Sequence, residues 1–492
     1  MHELFVIYVS FRTNPCCANN AIWWLVDVSI STLFKSFSTM NRREKQRHEL
    51  ALLASTGAYH TFDQWTRALI PFAQWNLEPR VGMDNFIWLT AISTTFTLIG
   101  TFFVARMIEV MGLRNSAMIS TAFVILYQFL VCQFTNLYIY VFLQSLLLFN
   151  NMQMIIDAAI LNMESEDGDY KKRTRLITRI MIPQSIGYAL GPYCALQMIF
   201  FVTPYLEVSQ ALCGFLAVIT LLPVIWNFFP DNPNPNLSLV PDFSGYFEVI
   251  KSDSVKLYSL LLMMVTGPYT AYDSLLRNSM ASSAIRDPNN MHNLFLTLGL
   301  TTVFVNTILL PKLQSTISTQ TLLSGSFSLL AGSYLYLAVF HDLIHLFIGM
   351  PIQVGSSPKR LKDHAHMSGS VPSFPALFVF GQSTLYCYNC VILCMLQVAA
   401  ATICIGELSS QLMGAIGKRK AGTAASVLRM SQLAATLLVP FIHGTVVPHH
   451  DVISLCIMSA SLSGAAVLLV KKFGGSMVFS SEYLPGFSGK YD

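Results

Sequence analysis

Tyrosine, aspartate and arginine, which can move protons and bind ions, occur with the same spacing in two distant apolar stretches of this chain. The two stretches read Gly57-x-Tyr59-x-x-x-Asp63-x-x-x-Arg67 and Gly267-x-Tyr269-x-x-x-Asp273-x-x-x-Arg277. A step of four residues places the three side chains on one face of a helix. Ionisable groups in an apolar helix usually face a cavity, because lipid does not solvate them. The repeat therefore predicts one acid and one base facing a polar pathway in each half of the chain.

Asp63 is the leading candidate for a proton acceptor. It lies near the middle of its apolar stretch, the depth at which secondary transporters bind their substrates. The alternative is an ion pair with Arg67 that only makes both charges tolerable inside the membrane. The same alternatives hold for Asp273, which lies nearer the outer end of its stretch.

A second polar segment centres on Asp157. The same apolar stretch contains Asn150, Asn151 and Gln153, so it is polar on several faces, as expected of a helix that lines a water-filled cleft. Asp157 is therefore either part of the solute or proton pathway, or a gate contact to the basic loop that contains Arg173.

Arg429 lies about two turns inside a later apolar stretch. Its guanidinium group either holds an anionic group of the substrate or pairs with Glu407.

The internal repeat extends beyond the two Tyr-Asp-Arg motifs. The matching positions are Gln184 with Pro192 and Gln432 with Pro440, each pair eight residues apart, and Asp157 with Glu407. We therefore predict that Gln184 and Gln432 also line the pathway, with Glu407 and Pro440 in gating or packing positions.

Other chemistry has weak support in the sequence. His341 with His345, and Cys387 with Cys390, have metal-like spacing but no further ligand nearby, so packing is the favoured interpretation and no metal is predicted. No phosphate-binding loop and no convergent Ser/His/Asp cluster is present. We therefore predict a chain without a cofactor that is neither an enzyme nor an ATP-driven pump.

Composition indicates which elements position these residues. Of the 492 residues, 53% are hydrophobic and only 11% are charged, and the mean hydropathy is +0.53. Soluble domains usually carry about 25% charged residues, so most of this surface must face lipid. The net charge of +4 is small and dispersed, which excludes a nucleic-acid interface. We predict an all-α membrane protein in contact with a lipid bilayer.

Hydropathy divides the chain into twelve predicted transmembrane spans. Their ranges are 48–72, 86–108, 115–136, 138–161, 176–201, 207–229, 257–279, 290–312, 320–342, 380–408, 421–444 and 450–470. Basic residues concentrate in alternate loops, beginning with the segment Arg42 to Arg47 and ending with Lys471 and Lys472. Basic loops stay in the cytoplasm, so both termini are predicted to be cytoplasmic.

A proline-rich segment separates the spans six and six. The predicted parts are a cytoplasmic or interfacial extension (1–47), an N-terminal six-helix bundle (48–229), a cytoplasmic linker (230–256), a C-terminal six-helix bundle (257–472) with a long non-cytoplasmic loop (343–379), and a cytoplasmic tail (473–492). The extension contains an apolar run too short to span a bilayer comfortably.

Over roughly residues 48–472 the chain resembles the major facilitator superfamily of transporters. The loop after span 2 reads Ala105-Arg-Met-Ile-Glu109-Val-Met-Gly112-Leu-Arg114, which is similar to the family signature Gly-x-x-x-Asp-Arg-x-Gly-Arg-Arg. The resemblance implies two pseudo-symmetric six-helix bundles. It also implies an inter-helix latch at Glu109, Gly112 and Arg114.

Further motifs resemble particular branches of that family. Arg173 followed by Gly187-Tyr-Ala-Leu-Gly191-Pro192 is similar to the drug/proton antiporters, and the same string with Gln184 is similar to the lysosomal ceroid-lipofuscinosis type. The segments 406–422 and 440–444 are similar to the organic-cation group. The resemblance implies an antiporter in the plasma membrane or in a lysosomal or endosomal membrane. Gly187, Gly191 and Pro192 favour close packing and a local bend.

Together these features predict a secondary active transporter. It would act as a monomer and move a small solute by alternating access, coupled to protons. The alternative is a channel, or a membrane adaptor without transport activity, on the same scaffold.

Overall fold

Long apolar helices form most of the chain that the computed structural model describes. The described residues are 44–79, 83–164, 170–203, 205–229, 243–284, 288–339, 376–416, 421–446 and 452–473. The helices are α1 (Glu44–Trp75), α2 (Met83–Leu130), α3 (Leu137–Leu143), α4 (Met152–Glu164), α5 (Tyr170–Gln197), α6 (Leu206–Phe228), α7 (Phe243–Ile250), α8 (Asp253–Ala284), α9 (Pro288–Phe304), α10 (Leu310–Thr316), α11 (Thr319–Val339), α12 (Ala376–Ile416), α13 (Ala421–Val446) and α14 (Val452–Phe473). The only β pairing in this part of the chain is an isolated bridge between Glu78 and Asn136. The predicted all-α class is confirmed.

The chain divides into two compact units. The smaller unit comprises Met1–Leu50 and Ile352–Ser383, and the larger unit comprises Ala51–Pro351 and Thr384–Asp492. The candidate site lies entirely within the larger unit.

Seven segments of the described chain are long and apolar enough to cross a membrane. They are Trp88–Leu130, Leu137–Leu161, Leu206–Phe228, Leu296–Thr316, Thr319–Val339, Leu393–Ile416 and Ile453–Phe473. The chain is thus a multi-pass membrane protein. Every predicted span overlaps a helix, and the first of these segments contains two predicted spans. The number twelve stays a prediction.

Helix α2 contains the second and third predicted spans and is interrupted at Gly112. This residue has φ 82° and ψ 171°, a conformation that a side chain disfavours. Just beyond the break, Arg114 Nε donates a hydrogen bond of 3.0 Å to the carbonyl oxygen of Phe229, next to the C-terminal end of α6. A cation is favourable beside the last carbonyls of a helix, so the break and the Arg114 contact together fix the turn between the two spans.

Hydroxyl groups in the first half of α2 are satisfied within the helix. Ser93, Thr94, Thr95 and Thr97 each donate to the carbonyl oxygen four residues earlier, at 2.8 to 3.0 Å. Such bonds let polar side chains remain in an apolar environment. Ser93 Oγ also lies 2.7 Å from Gln144 Oε1, outside α2.

Helix α5 crosses α1 at close range. A Cβ atom on Gly187 would lie 2.7 Å from the Cβ atom of His60, and one on Gly191 would lie 2.5 Å from the carbonyl oxygen of Thr61. Both glycines are therefore required for the two backbones to approach. Pro192 follows within α5, at the position where the sequence predicts a bend.

Among the described residues, two π-helical turns lie within predicted spans. Met198–Val202 follows α5, and Val305–Leu309 joins α9 to α10. Within the second turn, Asn306 Nδ2 donates a hydrogen bond of 2.8 Å to Ser185 Oγ on α5. The π turn in predicted span 8 therefore contacts predicted span 5.

The predicted cytoplasmic linker contains the short helix α7. Its residues Phe243 and Tyr246 pack their rings against Phe102 of α2, with centroid distances of 5.4 and 5.2 Å. The part of the linker that the structure describes is thus attached to predicted span 2. Most of the predicted extension and of the predicted loop 343–379, and nearly all of the C-terminal tail, lie outside the described residues.

Candidate functional site

Helix α1 carries the first set of predicted site residues. Arg67 Nε lies 2.8 Å from Asp63 Oδ2, and the two side chains are 52% and 12% exposed, respectively. Arg67 also lies within electrostatic range of Tyr188 on α5 and Asp273 on α8. A half-exposed guanidinium group surrounded by polar groups of other helices faces water rather than lipid. That Asp63 and Arg67 line a water-accessible pathway stays a prediction.

Hydrogen bonds connect α1 to α4 and to the residues just before it, and one series of them reaches Asp157 on α4. Tyr59 donates its hydroxyl proton to Asn150 Oδ1 at 2.8 Å, and His60 Nε2 lies 2.7 Å from Gln153 Oε1. Gln153 Nε2 donates in turn to Asp157 Oδ1 at 3.0 Å. The Gln153 Oε1 atom therefore faces His60. Because an amide oxygen can only accept, the imidazole of His60 donates the hydrogen bond from Nε2. Tyr59, His60 and Asp157 are all buried, so these hydrogen-bonded side chains form a polar core between α1 and α4.

Aromatic stacking holds the imidazole ring of His60 in place. The ring stacks on Tyr188 with a centroid distance of 5.7 Å and meets the edge of Tyr59 at 5.1 Å. Neither His60 nor Tyr188 is among the site residues predicted from the sequence. The available signals were an ionisable residue next to Tyr59 and a tyrosine directly after Gly187.

Arg429 approaches this polar core from α13, in the other half of the chain. It lies within electrostatic range of Tyr59, His60 and Asp157. Its Nη1 atom donates a hydrogen bond of 3.3 Å to Gln432 Oε1. Its Nε atom is buried and has no hydrogen-bond partner among the described residues. The structure thus brings together Tyr59, Asp157 and Arg429.

Glu407 is not the partner of Arg429. Its two carboxylate oxygens accept hydrogen bonds from Gln314 on α10 and from Gln411 on its own helix, both at 2.9 Å. The predicted alternative of an Arg429–Glu407 ion pair is therefore not found.

The second copy of the Tyr-Asp-Arg repeat is only partly described. Asp273 lies within electrostatic range of Arg67, so the two copies approach each other. Tyr269 and Gln184 are half-buried. The side chains of Arg277, Arg173 and Pro440 lie outside the described residues.

The residues of the predicted latch join α2 to the start of α13. Glu109 accepts hydrogen bonds from Arg106 Nη1 at 2.9 Å and from Thr423 Oγ1 at 3.2 Å. A carboxylate is favourable beside the N-terminus of a helix, and α13 begins at Ala421. A Cβ atom on Gly422 would lie 3.0 Å from the carbonyl oxygen of Ala105. The loop after span 2 therefore contacts the opposite half of the chain directly.

A second contact joins the two halves through α5. Asn306 of the π turn donates to Ser185, and a Cβ atom on Gly406 of α12 would lie 3.0 Å from Met181 Sδ. In the predicted topology, the end of α12 and the start of α5 lie on the same side of the membrane as the latch. Both contacts would thus lie toward the cytoplasm.

Solved structures with the same architecture identify the fold. The human organic anion transporter MFSD10 (TETRAN) is 13% identical, with a TM-score of 0.60, and the match covers 87% of this chain and 100% of that chain. A bacterial homologue of the iron transporter ferroportin, in an outward-facing state, is 14% identical, with a TM-score of 0.53, and the match covers 88% and 100%. The chain has the major facilitator fold. No protein-family profile and no curated protein matches the chain.

In a major facilitator fold, the described residues offer a polar site but no metal centre. No group of three or more histidine, cysteine, aspartate or glutamate residues in the described ranges could hold a metal ion. His341 and His345, and the side chains of Cys387 and Cys390, lie outside those ranges. The site can therefore offer hydrogen bonds, the Asp63–Arg67 ion pair and the guanidinium group of Arg429 to a solute.

Proposed function

We propose that the chain is a secondary active transporter that moves a small solute by alternating access and couples this movement to protons. The observation that carries the proposal is the meeting of Tyr59, Asp157 and Arg429, because these polar groups come from both halves of the chain. A site divided between two helix bundles can open to either side of the membrane as the bundles rock. The major facilitator fold supports this proposal.

The contacts between the halves support alternating access. Glu109 with Thr423, and Ser185 with Asn306, are each joined by a single hydrogen bond between side chains. Such contacts can break and form again in a transport cycle, because each contributes only about 1 to 3 kcal/mol. Each contact thus acts as one side of a reversible gate, and with both contacts made, the predicted cytoplasmic side is closed.

We propose Asp157 as the proton acceptor in preference to Asp63. Asp63 already has a cation, Arg67, at 2.8 Å. Asp157 is buried and accepts its one described hydrogen bond from the neutral amide of Gln153. A buried carboxylate without a paired cation is costly, and a bound proton removes that cost. The protonation of Asp157 can therefore change during the cycle, while Asp63 and Arg67 line the route.

The cargo must be inferred from this chain's own residues. One solved neighbour is named for organic anions and the other for iron, so the shared fold accommodates unlike solutes. Antiport, and a plasma-membrane, lysosomal or endosomal location, stay predictions from the sequence resemblance.

The test uses the purified full-length chain in proteoliposomes. A thermal-shift panel of organic anions, organic cations, sugars and amino acids first identifies a stabilising solute, because a ligand that binds the folded state raises the unfolding midpoint. We expect saturable uptake of that solute that is stimulated by counterflow and by an inward proton gradient. In the Asp157→Asn variant, counterflow should persist and the response to the gradient should disappear.

Matched variants sharpen the result. Asp63→Asn should lower the rate but keep the response to the gradient, and Asp253→Asn, at a side chain that is 97% exposed, should behave like wild type. Gradient-driven uptake by Asp157→Asn would refute the coupling role. An ohmic current without counterflow would refute the carrier and favour the channel.

A further inference from the structure

Arg429 presents a cation that the described residues leave without a counterion. Its Nε atom is buried and lacks a hydrogen-bond partner among them. Its Nη1 atom is bonded to the neutral amide of Gln432. A buried donor without an acceptor is unfavourable. In this conformation the Nε donor is therefore unsatisfied, on a side chain that is itself only half-buried.

The acids of the site are committed elsewhere. Asp63 is paired with Arg67, and Glu407 accepts hydrogen bonds from Gln314 and Gln411. Asp157 lies within electrostatic range of Arg429, but it is not within ion-pair distance. Tyr59 and His60 of α1 also lie within electrostatic range of Arg429, and neither is an anion at neutral pH. An anion that reaches Arg429 must therefore come from outside the described chain.

We infer that Arg429 binds the anionic group of the transported solute, and that this solute is an organic monocarboxylate. The inference rests on the proposed transport function. A guanidinium group offers two parallel N–H donors that match the two oxygens of a carboxylate. The neighbouring Tyr59 hydroxyl and His60 ring favour a solute with an organic body over a bare hydrated ion.

Charge balance sets the number of negative charges on the solute. Asp63 and Arg67 cancel each other. When Asp157 takes up a proton, Arg429 leaves one positive charge at the site, which one monoanion neutralises. A proton on Asp157 and a monocarboxylate on Arg429 therefore cross together without net charge, so uptake is electroneutral.

The binding test uses four monocarboxylates (acetate, lactate, benzoate and hippurate), the neutral isostere benzamide and the cation benzylammonium. We expect at least one carboxylate to raise the unfolding midpoint of the full-length protein, and benzamide and benzylammonium to leave it unchanged. Arg429→Gln should weaken carboxylate binding by about 10- to 100-fold, as expected for the loss of a charged hydrogen bond. Arg429→Lys keeps the charge but loses the paired donors, so its loss should be smaller. Lys312→Gln, at an exposed cation, is the matched control and should bind normally.

The outcomes separate this inference from the proposed function. If no carboxylate binds, or if Arg429→Gln and Arg429→Lys both bind it like wild type, the inference is overturned. If the protein exchanges a neutral or cationic solute at a rate that Arg429→Lys does not change, transport stands and the anion assignment fails. If carboxylates bind through Arg429 but no solute of any charge is exchanged, the anion site stands and transport fails. Should Arg429→Gln not fold, the Arg429→Lys affinity decides the result.

Discussion

The ion pair between Asp63 and Arg67 permits a quantitative test of how the site tolerates its charges. The two side chains meet at 2.8 Å, one turn apart on α1. At this distance and an effective dielectric constant of about 20, two unit charges attract by roughly 6 kcal/mol. Arg67 is 52% exposed, so water screens much of this attraction. We therefore expect a coupling free energy of about 1 to 2 kcal/mol between the two side chains.

A double-mutant cycle measures that coupling. The variants are Asp63→Asn, Arg67→Gln and the double substitution, and the readouts are the free energy of unfolding and the uptake rate in proteoliposomes. Each single variant leaves one charge unpaired, so the double variant should lose less stability than the sum of the two single losses. In the uptake rate, the same coupling corresponds to about a 5- to 30-fold departure from additivity.

An exposed ion pair on the same chain is the control for this coupling free energy. Asp253 and Lys256 lie 2.9 Å apart, but their side chains are 97% and 55% exposed, so their cycle should show no measurable coupling. Additive effects at Asp63 and Arg67, equal to those of the exposed pair, would refute the argument that these charges stabilise each other inside the protein.

Two further predictions concern helix contacts. Gly191→Leu should prevent the close crossing of α5 over α1 and lower the unfolding midpoint strongly. Gly332→Leu is the control and should fold normally, because a Cβ atom on Gly332 meets nothing within 4 Å. Equal midpoints for the two variants would contradict the close approach. Glu109→Gln should weaken the contact with Thr423 and so expose the buried Ala105. A cysteine placed at position 105 should then react with a membrane-impermeant maleimide several-fold faster in the Glu109→Gln variant than in the protein that keeps Glu109. An unchanged labelling rate would show that the contact does not close this end.

The sequence predicts well the features that depend on neighbouring residues. The four-residue step from Asp63 to Arg67 predicts their pairing, because both lie on one helix. The apolar runs predict the helical class for the same reason. Gly112 is predicted at the turn between two spans, and the structure adds that its positive φ interrupts a single long helix.

Contacts between distant helices are not encoded in local spacing. Nothing near Arg429 indicates that Tyr59, His60 and Asp157 lie within electrostatic range of it, since those come from α1 and α4. A pair between Arg429 and Glu407 was one of two alternatives from the sequence, whereas packing places Gln314 of α10 against that carboxylate. These outcomes depend on how many helix surfaces fit together, which residue patterns along one helix do not specify.

The π turn at Val305–Leu309 has a consequence for comparing this chain with other proteins. A π turn contains one residue more than an α turn, so the segment after it is rotated by about 100° relative to an uninterrupted helix. Asn306 therefore contacts α5 while Gln314 contacts Glu407. An uninterrupted α-helix with 3.6 residues per turn would not place both side chains in these directions. Related chains with a plain helix here would lack one residue, so a correct alignment places a one-residue gap within this turn.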